Sequence, residues 1–423
     1  ASAPAAPPVA VPTPTPTPSQ HRKIEHVIIV IQENRSFDNF FSTYPGADGT
    51  AYGKTHTGGS VAMVKSPLVT RDVGHSYATF SNEYDRGKMD GFDSVHFSSG
   101  GTTGNYIFRY VDPRDIAPYW TMARRYVLAD HMFQTQGSGS FTGHQDLIAG
   151  STAINDDESL VDFPSAIPWG CDAPDGTTTS LLTRNRGYVH RGGPFPCLSY
   201  PTLRDLLDGA TLSWKYYVPP FRPGTYGQIW NAFDAIHAVR YSAEWHNNIS
   251  SPNTNFFRDI KANRLPAVSW VVPIASNSDH PGGGGTTGPS WVASIVNAVG
   301  SSRYWESSAI VVVWDDWGGL YDHERPPQID YQGLGFRVPC LIVSPYARSG
   351  YVTHTQYEFA SILKFIEDNW ALGRINGNDQ RAASIGDAFD FTQTPRRFSP
   401  IPAAFGESFF MRQPPSDEPI DTE

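Results

Sequence analysis

Val27-Ile28-Ile29-Val30-Ile31 runs straight into Gln32-Glu33-Asn34-Arg35-Ser36-Phe37-Asp38, and this junction decides the fold. Five consecutive β-branched residues read as a strand buried on both faces. The polar and charged string behind it cannot continue into a core. It therefore lies at the strand's carboxyl end, where ligands bind in open α/β sheets. The pattern returns late in the chain, where Ala309-Ile310-Val311-Val312-Val313-Trp314 is followed by Asp315-Asp316-Trp317-Gly318-Gly319. Two buried strands that each end in oxygen donors point to one cation site split between them. The donors, Glu33, Asn34, Asp315 and Asp316, include no sulfur and form a hard set suited to Ca²⁺, Mg²⁺ or Mn²⁺. Taken singly they have a plainer reading, Glu33 and Asn34 as turn caps and Asp315-Asp316 as the start of a loop.

Working outward, strands alternate with helices. Ala267–Val272, Leu212–Val218 and Val338–Val343 read as further strands, and Tyr126–Ala129 as a short one. Pro113–Tyr126, Leu203–Leu207, Trp291–Val299 and Phe359–Leu372 carry helical spacing, the last with Ile362, Phe365, Ile366, Asn369 and Trp370 on one face. The stretch after the first strand, to about Phe97, reads as loop. This alternation predicts an α/β fold with a central, mainly parallel sheet flanked by helices and interrupted by long loop insertions. Residues 1–20, rich in Ala, Pro and Thr, read as a disordered or polyproline-like tether left after processing. Residues 21–423 read as a single domain that ends in an irregular arm from about 379.

With 42 acidic and 32 basic residues among 423, the net charge of −10 argues against a general nucleic-acid binder. No apolar stretch approaches the ~20 residues needed to span a bilayer. Of three cysteines, Cys340 sits in a strand-like run and reads as a buried apolar residue, while Cys171 and Cys197 lie in Gly/Pro-rich loops and are expected to pair as a disulfide. The expected location is secreted or periplasmic, with the signal peptide removed.

A hydrolase also needs a nucleophile, and Gly137-Ser138-Gly139-Ser140-Phe141-Thr142-Gly143-His144 places hydroxyls in a glycine-rich loop before a helix. Free N–H groups at a helix start favour an anion, although Ser and Thr are also ordinary caps there. Among thirteen histidines two stand out. His75 follows Arg71-Asp72-Val73-Gly74, and His280 lies in Ser278-Asp279-His280-Pro281. Either suits binding a phosphoryl oxygen or protonating a leaving alkoxide. His323, close to the second acidic pair, reads as orienting an aspartate.

The string Ile24–Asp38 resembles the amino-terminal signature of the bacterial phospholipase C/acid phosphatase phosphoesterase family, which includes the plant non-specific phospholipases C. Gly87–Asp90, Ser278–Pro281, Asp315–His323, Arg337–Pro339 and Phe365–Trp370 resemble its other motifs in the family order, so that the likeness covers about Ile24 to Leu372. The resemblance implies an alkaline-phosphatase-like fold, one metal site on Glu33, Asn34, Asp315 and Asp316, and a nucleophile at Ser140. Thr142 stands where the family usually has proline and is a rival nucleophile. The resemblance places phosphate contacts on His75 and His280, groups the neighbouring Asp279 with the catalytic residues, and leaves His144 as a structural candidate. Trp317 departs from the His or Asn of many relatives, so a second, histidine-rich metal site is not expected. The implied activity is metal-dependent hydrolysis of phosphoric esters through a phospho-serine. Phospholipase C cleavage is the first reading, broad-specificity acid phosphatase the alternative, and a non-catalytic lipid- or glycan-binding protein the third. The expected partners are one divalent cation, a phospholipid or small phosphate ester and a transient membrane surface, with no nucleic acid and no obligate protein. Trp169, Tyr188, Tyr216, Tyr217 and Trp291 are candidates for holding a choline-like cation or for filling a core.

Overall fold

The computed structural model describes residues 22–221 and 226–414, so the expected tether at 1–20 lies outside the described residues. Its centre is a sheet of eight strands: β1 His26–Gln32, β2 Val127–Ala129, β3 Trp214–Tyr217, β4 Ile249–Ser250, β5 Val268–Val271, β6 Ser308–Trp314, β7 Cys340–Val343 and β8 Tyr351–Thr353. Their spatial order is β4-β3-β5-β1-β6-β7-β2-β8. Only β7 runs antiparallel to its neighbours, β6 and β2, and the remaining pairs are parallel. The mainly parallel sheet expected from the sequence is therefore present. Val27 to Ile31 are all fully buried, each side chain contributing about 1.5–3 kcal/mol of hydrophobic stabilisation.

Helices cover both faces. The principal ones are α1 Phe37–Phe41, α2 Ala117–Arg125, α3 Ser140–Ala149, α4 Gly288–Gly300 and α5 Phe359–Trp370. Trp270 of β5 donates its indole N–H to Leu147 of α3 at 3.1 Å and is in register with Ile29 of β1. Gln32, three residues further along β1, donates to the Tyr119 hydroxyl of α2 at 3.0 Å. Strand side chains alternate faces, so an odd offset puts α3 and α2 on opposite sides of the sheet. α5 packs beside α3, and α4 beside α2.

Several boundaries differ from the sequence reading. The stretch taken as loop before Phe97 contains the helix Tyr77–Tyr84. A second, antiparallel sheet formed by Ala153–Asn155, Glu158–Val161, Ser180–Thr183 and Tyr188–Val189 has no counterpart in it. Cys171 and Cys197 form the expected disulfide, and Cys340 is buried. The carboxy-terminal segment lies along the body: Trp305 donates to the Arg396 carbonyl at 2.7 Å, Arg396 to that of Arg125 at 2.8 Å, and Phe410 packs on Trp291. Of the five candidate aromatics, Trp169, Tyr216, Tyr217 and Trp291 are core residues and Tyr188 is exposed. No helix among the described residues is long and apolar enough to cross a membrane.

Candidate active site

The register of β1 and β6 builds the site. Gln32 pairs with Trp314, so the residues that follow each strand emerge side by side. Asp315 Oδ1 accepts from the backbone N–H of Asn34 (3.0 Å) and of Asp316 (2.8 Å), locking the two strand ends together. Asn34 adopts φ 59°, a left-handed conformation uncommon for a residue with a Cβ. Such strain concentrates where a side chain must be aimed for function.

Glu33, Asn34, Asp315 and Asp316 are all fully buried. Burial, ahead of all other causes, pushes the Glu33 and Asp315 carboxyls well above the carboxylate range, and burial plus the charge of Asp315 raises Asp316 to about 8. Asp315 Oδ2 is buried without a hydrogen-bond partner. Three crowded, buried carboxylates need protons or a cation between them.

The Asn34 amide can face the acids in two ways. His75 Nδ1 faces the Val73 carbonyl at 2.8 Å and His280 Nδ1 the Pro281 carbonyl at 2.6 Å, so both Nδ1 atoms carry hydrogen. With its NH₂ turned to the acids, Asn34 donates to Asp315 Oδ1 (3.2 Å) and Glu33 Oε2 (3.3 Å), and its oxygen accepts from Nε2 of His75 (3.0 Å) and His280 (2.9 Å). That arrangement requires both imidazoles to be protonated. Turned the other way, the two amide hydrogens serve the two Nε2 lone pairs, and the amide oxygen joins the carboxylate oxygens. A carboxyl proton or a cation between them reconciles those oxygens. The donor set thus fits a single hard divalent ion.

The glycine-rich loop sorts its hydroxyls. Ser138 Oγ accepts from the Asp162 N–H at 2.7 Å, and Thr142 donates back to the Gly139 carbonyl at 3.0 Å. Ser140, at the start of α3, donates toward Asp316 Oδ2 at 3.2 Å and lies 3.4 Å from Asn34 Oδ1. Gly143 lets α3 approach: a Cβ there would sit 2.5 Å from the Asp315 carbonyl oxygen.

Around this centre are further residues, some foreseen in the sequence and some not. His144 Nε2 meets Glu33 Oε1 at 2.8 Å, holding a proposed ligand from behind. Trp230 stacks with both His144 (6.3 Å between ring centres) and His280 (6.2 Å). The Asp279 carboxylate accepts from Tyr119 (2.6 Å) and Gln32 (3.2 Å), while its carbonyl accepts from Arg35 Nε at 2.7 Å. These bonds tie down the loop that carries His280. Trp317, which cannot ligate, donates to Glu83 at 2.7 Å and packs edge-on to His75. His323 bonds Asp38 Oδ2 through Nδ1 at 2.7 Å. His144 sits within a loop motif and was visible as a candidate, but nothing in the sequence marks Trp230.

A model of the phosphoesterase family matches residues 24–373. The chain belongs to the phosphoesterase family. It is accordingly a phosphoric ester hydrolase. Among curated relatives, phospholipase C B of Mycobacterium tuberculosis is 25% identical over 443 residues, covering 89% of this chain and 80% of that protein. Non-hemolytic phospholipase C of Pseudomonas aeruginosa is 24% identical, covering 88% of this chain and 58% of its own length. Non-specific phospholipase C1 of Arabidopsis thaliana is 23% identical, covering 89% and 73% respectively. A solved alkaline phosphatase superfamily protein from Vibrio parahaemolyticus is similar over 86% of this chain and 72% of its own, at 11% identity and a TM-score of 0.39, too distant to bear on the site.

Proposed function

We propose that this phosphoesterase is a phospholipase C that uses Ser140 as nucleophile, with one divalent cation held by Glu33, Asn34, Asp315 and Asp316. The observation that carries the reading is the sorting of hydroxyls: among Ser138, Ser140 and Thr142, only Ser140 is turned to the acid cluster. When bound, the cation supplies positive charge that favours the serine alkoxide and offsets charge on the phosphoryl oxygens. Ser140 Oγ attacks phosphorus, forming the Oγ–P bond as the P–O bond to diacylglycerol breaks and the departing oxygen takes a proton. Water then attacks phosphorus, breaks the Oγ–P bond, releases the phosphorylated headgroup and restores the serine proton. Asp316 Oδ2 orients the Ser140 hydroxyl before attack. His75 and His280, with Nδ1 tied to backbone carbonyls, accept the Asn34 amide hydrogens at Nε2 in the cation-binding orientation, and an Nε2 that gains a proton is released from Asn34 to serve the phosphoryl or leaving oxygen. His144 holds Glu33, and Arg35 and Asp279 hold the His280 loop.

The relatives' names support the phospholipid substrate, and the disulfide supports a location outside the reducing cytoplasm. A bilayer substrate also entails transient contact with a membrane surface. The test is diacylglycerol release from phospholipid measured beside p-nitrophenyl phosphate hydrolysis. Diacylglycerol release supports the reading. Monoester turnover alone makes the protein an acid phosphatase, and turnover of neither with metal bound makes it a binding protein.

A further inference from the structure

Apolar side chains stand exposed together on the small antiparallel sheet and the loop beside it. Ile167, Tyr188, Val189 and Phe195 each leave between 36% and 39% of their surface to solvent. The Ser165 N–H donates to the Thr178 carbonyl at 2.9 Å and the Thr179 N–H to that of Pro194 at 3.1 Å. The loop carrying Ile167 and the segment carrying Phe195 therefore flank the same strand, Ser180–Thr183. Tyr188–Val189 pairs only with that strand and forms the sheet's edge. Soluble proteins normally blunt or cover such an edge, and a cluster of exposed apolar side chains marks a contact surface.

The charge here is opposite to that of the chain as a whole. Arg184–Phe195 holds three arginines, one histidine and no acid, in a protein of net charge −10. Arg184 meets Asp157 at 3.4 Å, whereas Arg186 and Arg191 are exposed and have no carboxylate partner among the described residues. Guanidinium forks bind phosphate, and amphipathic rings settle at the headgroup level of a bilayer. Unpaired arginines beside exposed Ile, Val, Tyr and Phe side chains are therefore complementary to an anionic phospholipid surface. The patch also adjoins the reacting centre. Tyr188 donates to Asp162 Oδ2 at 2.8 Å, and the Asp162 N–H donates to Ser138 Oγ at 2.7 Å, in the loop that carries Ser140. Tyr77, in the segment that carries His75, stacks on Tyr188 at 5.9 Å and donates its N–H to Asp162 Oδ1 at 2.6 Å.

We infer that this face docks the protein on an anionic phospholipid bilayer, with Ile167, Tyr188, Val189 and Phe195 entering the headgroup layer and Arg186 and Arg191 bonding lipid phosphates. The inference rests on the proposed phospholipase reading and names the surface through which that substrate is met. The test is co-sedimentation of the full chain with vesicles of phosphatidylcholine mixed with phosphatidylserine. Wild type should bind them, and less tightly as salt screens the arginines. Arg186→Glu combined with Arg191→Glu should weaken binding about 25-fold or more, about fivefold for each arginine. Ile167→Ser combined with Val189→Ser should weaken it about tenfold. All four side chains are exposed, so the melting temperature should stay at the wild-type value. A wild type that ignores the vesicles, or variants that bind them as wild type does, overturns the inference. So does a wild-type dimer in sedimentation velocity that the variants split, which assigns the face to a second copy of this chain. Failure of the phospholipase reading is distinct: vesicle binding that the variants weaken, with no diacylglycerol released, supports the docking face and sinks that reading alone.

Discussion

Gly143→Ala tests whether the close seating of α3 on the β6 end places the nucleophile. A Cβ at 143 would lie 2.5 Å from the Asp315 carbonyl oxygen, whereas ordinary contact begins at 3.4 Å. The obstacle is backbone and cannot swing aside, so the helix must retreat by about 0.9 Å. Ser140 lies three residues earlier on that helix and moves with it, lengthening its 3.2 Å contact to Asp316 Oδ2. A misplacement of about 1 Å at a reacting atom costs on the order of 10²-fold in turnover. Overpacking adds roughly 1–3 kcal/mol of destabilisation. The assay is kcat and KM on p-nitrophenyl phosphate with the melting temperature measured alongside. The expected outcome is a kcat lowered about 100-fold in a protein that still melts cooperatively. Wild-type kcat in a folded Gly143→Ala protein would refute the claim that this helix seating sets the serine.

Asp315→Asn should lose bound divalent metal by elemental analysis and about 10³-fold in turnover, because charge stabilisation worth several kcal/mol goes with the ion; retained metal would remove Asp315 from the ligand set. Reduction of the Cys171–Cys197 disulfide, which closes a loop of sequence separation 26, should cost about 3 kcal/mol in urea unfolding, and an unchanged midpoint would count against it. Burial lowers the proton affinity of His323, but its hydrogen bond to Asp38 and the charges of Asp38 and Asp322 outweigh this and raise it to about 9. A raised folded-state value means its stabilisation is full below the unfolded pKa of about 6.5 and is lost as pH rises through about 9. Unfolding free energies at pH 6 and pH 9 should therefore differ by up to about 3 kcal/mol more in the wild type than in His323→Gln; equal differences would contradict this.

The parts of the fold legible in the sequence are those dictated locally. β1 and β6 announce themselves because a strand covered on both faces must be apolar throughout, and the donors at their ends are juxtaposed by parallel register alone. The direction of β7 was not legible, since a buried strand carries the same residues whichever way it runs. The small sheet was hidden for another reason: its strands are two to four residues long, too short to show an alternating period. The site divides the same way. Glu33, Asn34, Asp315, Asp316 and Ser140 follow from motif position. The partnership of His144 with Glu33, the Tyr119–Asp279 bond and the stacking of Trp230 between two histidines arise only from tertiary packing. Asp279 shows the converse. Its place beside His280 suggested chemistry, while its hydrogen bonds to Tyr119 and Gln32 were not legible in the sequence.

The central claim is that Ser140 forms a covalent bond to phosphorus, and trapping that bond tests it most directly. Protein quenched in acid during turnover of p-nitrophenyl phosphate, then digested and analysed by mass spectrometry, should carry one phosphoryl group on Ser140. The Ser140→Ala protein should carry none and turn over orders of magnitude more slowly, while Thr142→Ala, which loses only the bond to the Gly139 carbonyl, should label normally. A phosphoryl group on Thr142, or unlabelled protein with near-normal turnover in Ser140→Ala, would contradict the account.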